Sequence, residues 1–204
     1  MFVNAHTETL KELQASGAPA KGLTLDDHYL WQNFRKDNEL AFSVLYNKYT
    51  PKLFNYGMHY CSDRDLVLDC LQELFSSFWA KRKTLPDVYS ISSYLFKSFR
   101  RLLQKKLTWR RRFLLSLDAN PHPSFEITLP FEHTLVQEEA ENERSEKLKR
   151  NLQKLTRRQR EALFLKFYNN LNYADIASIM ELQVDSVYNI ISKALDSLRR
   201  EMKG

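Results

Sequence analysis

Basic and aromatic side chains alternate along residues 90–112, and they carry the chemistry that this sequence indicates most directly. The segment has eight lysines and arginines, four aromatic rings and no acidic residue. Lysine and arginine neutralise phosphates, and aromatic rings stack on unpaired bases. So many like charges on one helix repel each other unless an anion compensates them. The pattern therefore predicts an anionic partner, whereas Phe96 and Phe99 are expected to turn towards the core.

The preceding helical segment, residues 65–83, has a polar stripe of a different character. Its members are spaced at i, i+3, i+4 and i+7, so they share one side of a helix: Asp69, Gln72, Glu73 and Ser76. Bulky apolar residues fill the other side. Any amphipathic helix shows this division, so the residues alone leave open both a protein-binding face and an ordinary solvated face.

Residues 156–203 have the spacing of a helix-turn-helix. Thr156 and Gln159 have capping-box spacing at the start of its first helix, and Asn172 caps a second, short helix. Residues 181–183 form a tight turn before a longer helix that is apolar on one side. A short turn followed by a longer helix with one exposed face is the geometry that enters a DNA groove. An ordinary small helical bundle would also fit these apolar spacings.

Catalytic and metal-binding spacings are absent from the sequence. The five histidines are scattered without an i, i+4 pair, and four glycines are too few for a glycine-rich phosphate loop. Cys61 and Cys70 have no partner at metal-ligand spacing and are expected to be reduced thiols. We therefore expect a binding protein and not an enzyme, with no cofactor, no metal and no small-molecule substrate.

Charge and hydropathy set the expected location. The net charge of +6 is compatible with an acidic partner but is a weak argument by itself. No apolar run approaches the ~20 residues of a membrane span. The N-terminus lacks the basic start and the apolar segment of a signal peptide. These features predict a cytoplasmic protein.

Helical periodicity dominates the chain and strand patterns are scarce, which predicts an all-α fold. The predicted organisation is two small helical domains joined by a flexible linker: a loose leader at 1–23, a first domain at 24–112, a proline-bearing linker at 113–131 and a second domain at 132–204. Pro51 falls inside the predicted helix 38–60, so we expect a kink or a break there. The linker is expected to leave the two domains without a large shared core.

Five segments of the chain resemble one protein family. They read AFSVLYNKYTPKLFNY, DCLQELFSSFWAKR, SYLFKSFRR, LTRRQREALFLKFYNNLNYADIASIM and VDSVYNIISKALDSLRR. Residues 39–112 resemble region 2 of bacterial sigma factors of the sigma-70 class, and residues 147–203 resemble region 4. The short linker, without regions 1 and 3, is similar to the compact extracytoplasmic-function subfamily. The resemblance implies a sigma factor that binds core RNA polymerase, directs promoter recognition and DNA melting, and is then released.

The resemblance also implies a role for each candidate residue. The polar stripe corresponds to the segment that binds the clamp helices of the polymerase β′ subunit: Asp69, Gln72, Glu73 and Ser76. The residues that would capture the melted −10 strand are Tyr89, Ser92, Tyr94, Lys97, Arg100, Arg101 and Lys105. Those that would read the −35 element are Tyr173, Asp185, Ser186, Tyr188, Asn189, Ser192 and Lys193. Further implied partners are the polymerase β flap and, as in many relatives, an anti-sigma factor.

The chain departs from the family pattern at several positions. Arg101 and Lys105 stand where the family commonly has Asn and Asp, and Glu181 stands where a Gly is usual. The reading helix has Tyr188 and Ile190 at positions that are commonly basic. These departures concern the promoter sequence that is recognised and the affinity at −35, and they leave the expected fold unchanged.

Two other functions are compatible with the residues alone. One is a one-component transcriptional regulator with a C-terminal helix-turn-helix and a ligand-sensing N-terminal half. The other is an RNA-binding or nuclease-associated protein, which fits the charge but lacks catalytic residues. Promoter-specific RNA synthesis with sigma-free core polymerase would distinguish a sigma factor from both.

Overall fold

Helices make up all the regular structure in the part of the chain that the computed structural model describes, which is residues 27–114, 125–126 and 139–203. The first half holds α1 (Asp27–Arg35), α2 (Glu39–Tyr60), α3 (Arg64–Lys81) and α4 (Ile91–Leu114), with a 3-10 turn at Arg82–Thr84. The second half holds α5 (Glu139–Lys154), α6 (Arg157–Leu163), α7 (Tyr173–Met180) and α8 (Val184–Lys203), with a π-helical turn at Phe164–Tyr168. The all-α prediction is confirmed. The predicted leader and most of the predicted linker lie outside the described residues.

Short polar side chains begin several helices, and two of them, Thr156 and Asn172, are the caps that the sequence predicts. Asp63 and Asn172 each accept a hydrogen bond from a backbone N–H in the first turn of α3 and α7. Thr156 and Gln159 form the complete capping box predicted at α6. Glu181 ends α7 in a left-handed conformation with a φ of 58°, which is less costly for Gly than for any other residue. These ends set the geometry of the helix-turn-helix.

Of the kink or break predicted at Pro51, the break does not occur, because α2 continues through the proline to Tyr60. Pro51 has no N–H, so the carbonyl of Asn47 one turn earlier loses its helical donor. Both residues lie on the exposed side of α2. Water can take the missing bond there, and the helix therefore tolerates the proline.

The first four helices enclose an aromatic core. Trp31 is buried, with its ring centroid 5.6 Å from those of Phe34 and Tyr94 and 6.2 Å from that of Phe78. Its indole N–H donates to the Pro86 carbonyl at 3.1 Å. This bond ties α1 to the loop before α4 and so sets the start of α4 against the bundle.

The helices α6, α7 and α8 form a second helical unit. Val187, Ile191 and Ala194 are buried and follow i, i+4, i+7 spacing along α8, and they pack with Ile176 of α7. An apolar stripe of this width leaves the opposite face of α8 to solvent. The fold therefore presents one face of its last helix outwards, as a groove-reading helix requires.

The two halves pack against each other, so the expectation that they share no large core is wrong. Helix α7 lies against α4, and the buried residues of both halves form one cluster. Phe125, from the predicted linker, is fully buried between them, with ring centroids 5.7 Å from Tyr56 and 5.5 Å from Phe164. One aromatic residue in a proline-bearing segment has no helical or strand period, and for this reason the sequence did not predict the contact.

Candidate protein and nucleic-acid interfaces

The polar stripe of α3 is exposed along its whole length, at Asp69, Gln72, Glu73 and Ser76. Glu73 also forms an ion pair with Lys106 of α4, whose Nζ lies 2.8 Å from the Glu73 Oε2 atom. The hydrogen bond to Glu73 raises the pKa of Lys106, so the lysine stays charged. The structure thus places the predicted protein-binding residues together on one solvent-facing side, next to the basic helix.

Two exposed apolar side chains flank this stripe and were not predicted. Tyr46 of α2 is 42 % exposed, and its ring meets that of Phe75 edge-on with centroids 4.7 Å apart. Leu68, which directly precedes Asp69, is 38 % exposed. Exposed apolar area rimmed by polar residues is typical of a protein-binding surface. Its position next to Asp69 could have identified Leu68 from the sequence, whereas Tyr46 comes from another helix and needs the fold.

Four cations of α4 already have anionic partners within the described part of the chain. The four ion pairs are Arg100 with Glu161, Arg101 with Glu181, Lys106 with Glu73, and Arg110 with Asp63. The first two of these join the first half of the chain to the second. The predicted anionic partner of the basic helix is therefore in part the protein itself, while Lys105 and Arg112 remain exposed.

Arg100 is not on the surface, in contrast to its predicted role as a DNA contact. Its Nε atom lies 2.7 Å from the Oε1 atom of Glu161, which also accepts the Tyr56 hydroxyl at 2.6 Å. The Glu161 side chain is 1 % exposed and that of Arg100 is 12 % exposed. Burial by itself would lower the pKa of Arg100, but the Glu161 carboxylate outweighs this and the pKa is raised. Burial and the same carboxylate raise the pKa of Tyr56, which stays a neutral hydrogen-bond donor.

The other predicted −10 residues differ widely in exposure. Tyr89 is fully exposed in the loop before α4, and Ser92 is half-buried. The Tyr94 ring packs 5.6 Å from those of both Trp31 and Phe78, so this residue supports the core instead of offering a free face. Burial correspondingly raises its pKa.

Of the four rings in the basic segment, Trp109 turns outwards. It is 66 % exposed, while Phe96 and Phe99 are fully buried as predicted. Trp109 lines a groove of about 800 Å³ together with Lys105 and Arg112. An exposed indole among cations is the combination that binds single-stranded nucleic acid. The sequence marked Trp109 as an interleaved ring without singling it out.

The outward face of α8 carries most of the predicted −35 residues. Asp185, Tyr188, Asn189, Ser192 and Lys193 are exposed, and Ser186 is half-buried. The ring of Tyr173 in α7 stacks on Tyr188 with centroids 3.7 Å apart and planes 15° from parallel. The Lys166 ammonium lies 4.8 Å from the centroid of the Tyr173 ring. This stack holds Tyr188 at one flank of the reading face.

No group of three or more His, Cys, Asp or Glu side chains that could hold a metal ion occurs within the ranges that the structure covers. In the same ranges, no helix combines the length and the hydropathy that a bilayer span requires.

Comparison with known proteins assigns both halves of the chain. Residues 45–113 match the family described as sigma-70 region 2, and residues 145–198 match the family described as sigma-70, region 4. Together the two matches cover more than half of the 204 residues. A curated relative, the ECF RNA polymerase sigma factor RpoE of Cereibacter sphaeroides, is 25 % identical over 170 residues, which span 81 % of this chain and 88 % of the relative.

Two solved structures have a similar fold. The sigma factor RpoE of Bartonella quintana, in complex with the anti-sigma factor NepR, is 22 % identical with a TM-score of 0.55, covering 75 % of this chain and 91 % of that one. CnrH, in complex with the cytosolic domain of CnrY, is 17 % identical with a TM-score of 0.56, covering 87 % of this chain and 97 % of that one. At these identities the likeness concerns the fold.

Proposed function

The chain belongs to the sigma-70 family as a sigma factor of the extracytoplasmic-function type, and on that premise we propose which surface performs each of its tasks. It directs transcription initiation, which requires binding of core RNA polymerase, promoter recognition and DNA melting. The family consists of non-catalytic initiation factors. The matches to both sigma regions exclude the alternative of a one-component regulator. We propose that the work of this chain is binding throughout, in the cytoplasm, where polymerase and chromosome are found.

The polymerase-binding surface in this proposal is the stripe of α3 with its apolar flank. Asp69 and Glu73 supply exposed carboxylates, Gln72 supplies an amide, and Leu68 and Tyr46 supply apolar area beside them. Charged groups next to a small apolar patch combine specificity with desolvation energy. Ser76 extends the same stripe by one turn and completes the contact with the β′ clamp helices.

The proposed −10 surface runs along the solvent side of α4 and the loop before it. Tyr89 and Trp109 offer rings for unpaired bases, and Lys105 and Arg112 offer exposed charge for phosphates. Lys97, Arg100 and Arg101 join this surface when the contacts that now engage them are released, and Ser92 adds a hydroxyl. Tyr94 supports this surface indirectly, because its ring packs against the core rings of Trp31 and Phe78.

The proposed −35 surface is the exposed face of α8. Asn189 is suited to pair with adenine through its amide, and Lys193 and Ser192 lie on the same face. Ser186 and Asp185 lie at the start of the helix, where residues of a recognition helix contact bases. Tyr173 acts through Tyr188, because its own ring face is covered by the stack.

We propose the same division of the chain as the sequence suggested. Region 2 occupies residues 24–112, the linker occupies residues 113–131, and region 4 occupies residues 132–204. Helix α4 itself continues two residues past the proposed border, to Leu114. Polymerase β′ and β flap, together with promoter DNA, are the proposed partners. An anti-sigma factor is a further proposed partner, on the likeness of fold to RpoE of Bartonella quintana and to CnrH, which were solved with NepR and CnrY.

The observation that best supports these assignments is that one chain holds an exposed carboxylate stripe on α3, an exposed cationic and aromatic surface on α4, and an exposed reading face on α8. The test is transcription in vitro with sigma-free core polymerase on fragmented genomic DNA, with start sites mapped by sequencing. Addition of the protein should produce transcripts from discrete start sites preceded by a shared pair of sequence elements. Unchanged RNA synthesis on adding the protein would overturn the assignment.

A further inference from the structure

A stacked pair of aromatic rings borders the reading face of α8. Tyr188 lies in the second turn of that helix, and its ring stacks on the ring of Tyr173 in α7 with centroids 3.7 Å apart and planes 15° from parallel. Tyr188 remains 50 % exposed in spite of this contact. Asp185 and Ser192, three and four residues away, share its side of α8 and are also exposed. The uncovered part of the Tyr188 ring therefore belongs to the surface that would enter the groove.

The packing of α7 on α8 does not depend on this stack. Ile176, Val187 and Ile191 are almost completely buried and belong to the apolar core that the two helices share. Burial of apolar side chains is the main source of stability in such packing. Tyr188 lies at the edge of this core, where half of its surface stays in water. Folding alone therefore leaves this exposed ring unexplained.

Contacts within region 4 fix the orientation of the Tyr188 ring. Asn172 caps α7 and so places Tyr173 at the first position of that helix. The Lys166 ammonium donates to the Leu171 carbonyl at 3.3 Å and lies 4.8 Å from the centroid of the Tyr173 ring. The electron-rich face of an aromatic ring attracts a cation, so Lys166 holds Tyr173 in place against Tyr188. A ring that is already ordered loses little conformational freedom when it binds.

An ordered apolar ring matches one base in the major groove of DNA. Thymine presents its C5 methyl group there, and proteins read that group by apolar contact. Arginine and lysine instead read guanine through two hydrogen bonds to O6 and N7. Tyr188 stands at a position that is commonly basic in the family, and a tyrosine ring cannot make this two-bond contact with guanine. The chemistry of the position thus favours thymine over guanine.

We propose that Tyr188 contacts the C5 methyl group of a thymine in the −35 element, and that Tyr173 and Lys166 are positioning residues that hold its ring for this contact. The inference deepens the −35 surface proposed above and rests on it. It assigns an A·T pair to one position of the element. Asn189 follows Tyr188 directly on α8, so the adenine that Asn189 reads belongs to the same base pair or to a neighbouring one.

The first arm of the test removes only the methyl group from the DNA. The promoter fragment comes from the start-site mapping described above, and deoxyuridine replaces each −35 thymine in turn, on either strand. Two fragments with different fluorophores, one with thymine and one with deoxyuridine, compete for limiting holoenzyme assembled from the full chain and core polymerase. The bound fractions give the ratio of the two affinities. For the parent protein, deoxyuridine at one position should weaken binding about fourfold, which corresponds to the burial of one methyl group.

Matched substitutions separate contact with the methyl group from other roles of the ring. Tyr188→Ala should bind the thymine and deoxyuridine fragments equally, whereas Tyr188→Phe, which retains the ring, should keep the preference of the parent protein. Tyr173→Ala should reduce that preference, and Tyr173→Phe should preserve it. A stack that only held the two helices together would change the stability of these variants but not the ratio of the two affinities.

The second arm adds a methyl group to the other pyrimidine. A C·G pair at the position found in the first arm should weaken binding of the parent protein. 5-Methylcytosine carries its methyl group on the C5 atom, as thymine does, and at this position it should restore part of the lost affinity. Tyr188→Ala should not distinguish cytosine from 5-methylcytosine.

A control variant on the same face keeps the outcomes distinct. Asn189→Ala should lower the affinity for both fragments and leave their ratio unchanged, because it removes a different contact. Deoxyuridine that changed binding at no −35 position would overturn the inference. So would a Tyr188→Ala variant with the preference of the parent protein, since the effect would then come from DNA shape. Failure of the proposed function would show separately, as a parent protein that gives no transcripts with core polymerase.

Discussion

At the scale of single residues, exposure separates side chains placed to bind from those that hold the fold. Asp69 and Asn189 are exposed on the outer faces of α3 and α8, so truncating them opens no cavity. Arg100 carries the same charge as Lys105, but it is buried with Glu161 and contributes to packing between the regions. Substitutions at the first two positions should therefore change binding without changing stability.

Replacing Asp69 and Glu73 together by Ala should weaken binding to core polymerase by at least about tenfold, because hydrogen bonds to charged groups contribute about 1.5–3 kcal/mol each. The free energy of unfolding should stay within about 0.5 kcal/mol of the parent value, as for most surface substitutions. Anisotropy of the labelled chain titrated with core enzyme measures the affinity. The control is Asp196→Ala with Glu201→Ala, which removes two exposed carboxylates from α8. Equal affinities of the parent and the α3 variant would contradict the clamp assignment.

Replacing Asn189 by Ala should relax the preference for one base pair in the −35 element. A bidentate contact between an amide side chain and adenine discriminates by about 1–3 kcal/mol. Transcription from a library randomised at −35, with the variant in holoenzyme, gives the preference at each position. Arg199→Ala, further along the exposed side of α8, should lower affinity evenly without changing base preference. A −35 profile of the Asn189 variant that matched the parent would mean that α8 faces the groove in another register.

At the scale of helices, the positions of the helix ends could be predicted from the sequence, whereas the packing of the helices on one another could not. Asp63, Thr156 and Asn172 act through the next three residues, so their capping roles were visible in the sequence. The polar stripe of α3 was visible for the same reason, since helical spacing alone defines it. The continuity of α2 through Pro51 and the contribution of Tyr46 depend on which side of a helix faces its neighbours, and only the fold supplies that.

The tight packing around Gly57 provides a prediction about stability. Gly57 lies where α2 meets its neighbours, and a Cβ there would stand 2.7 Å from Val67 Cγ1 and 3.1 Å from Phe99 Cε1. Gly57→Ala gains about 1 kcal/mol of helix propensity, but overpacking a core costs about 1–3 kcal/mol. We expect the urea midpoint to fall. In a Val67→Ala background the same substitution should leave the urea midpoint unchanged or raise it. An equal fall of the midpoint in both backgrounds would show that the clash is not with Val67.

At the scale of the whole molecule, the sequence predicted two helical regions but not their contact. The prolines identify the linker, but they indicate only where helices end and not what the linker contacts. Phe125 is held by rings from two distant segments, Tyr56 and Phe164, and no local pattern links them. The pairing of Arg100 with Glu161 is equally non-local, although the excess of positive charge on α4 indicated that some anion was required.

Acid should weaken the packed form of the molecule through His59. Its ring is buried against Phe125 and Phe164, and burial lowers its pKa despite the hydrogen bond with the Glu126 carbonyl. The pKa of His59 in the folded protein lies below its ordinary value of 6.5. The neutral His59 ring therefore contributes fully to the free energy of unfolding above pH 6.5, and this contribution is lost as the pH falls below that value. Because one proton is involved, the free energy of unfolding should change by at most about 1.4 kcal/mol per pH unit.

Urea unfolding at pH 7.5, 6.5 and 5.5 measures this effect, in a range where carboxylates have not begun to titrate strongly. His59→Gln removes the titrating group and should flatten the dependence, whatever its effect on stability at pH 7.5. A slope that persisted in the Gln variant would assign the acid sensitivity to other groups.

If α4 and the loop before it contact the −10 strand when the sigma factor opens a promoter, a photo-crosslinker in place of Tyr89 should react with that strand. Tyr89 is fully exposed, so replacing it by benzoylphenylalanine should not disturb the fold. Irradiated open complexes with core polymerase should yield a crosslink to one strand within the −10 element, and the mixture without core polymerase should not. Open complexes that form normally but crosslink from this position only to protein would contradict the claim.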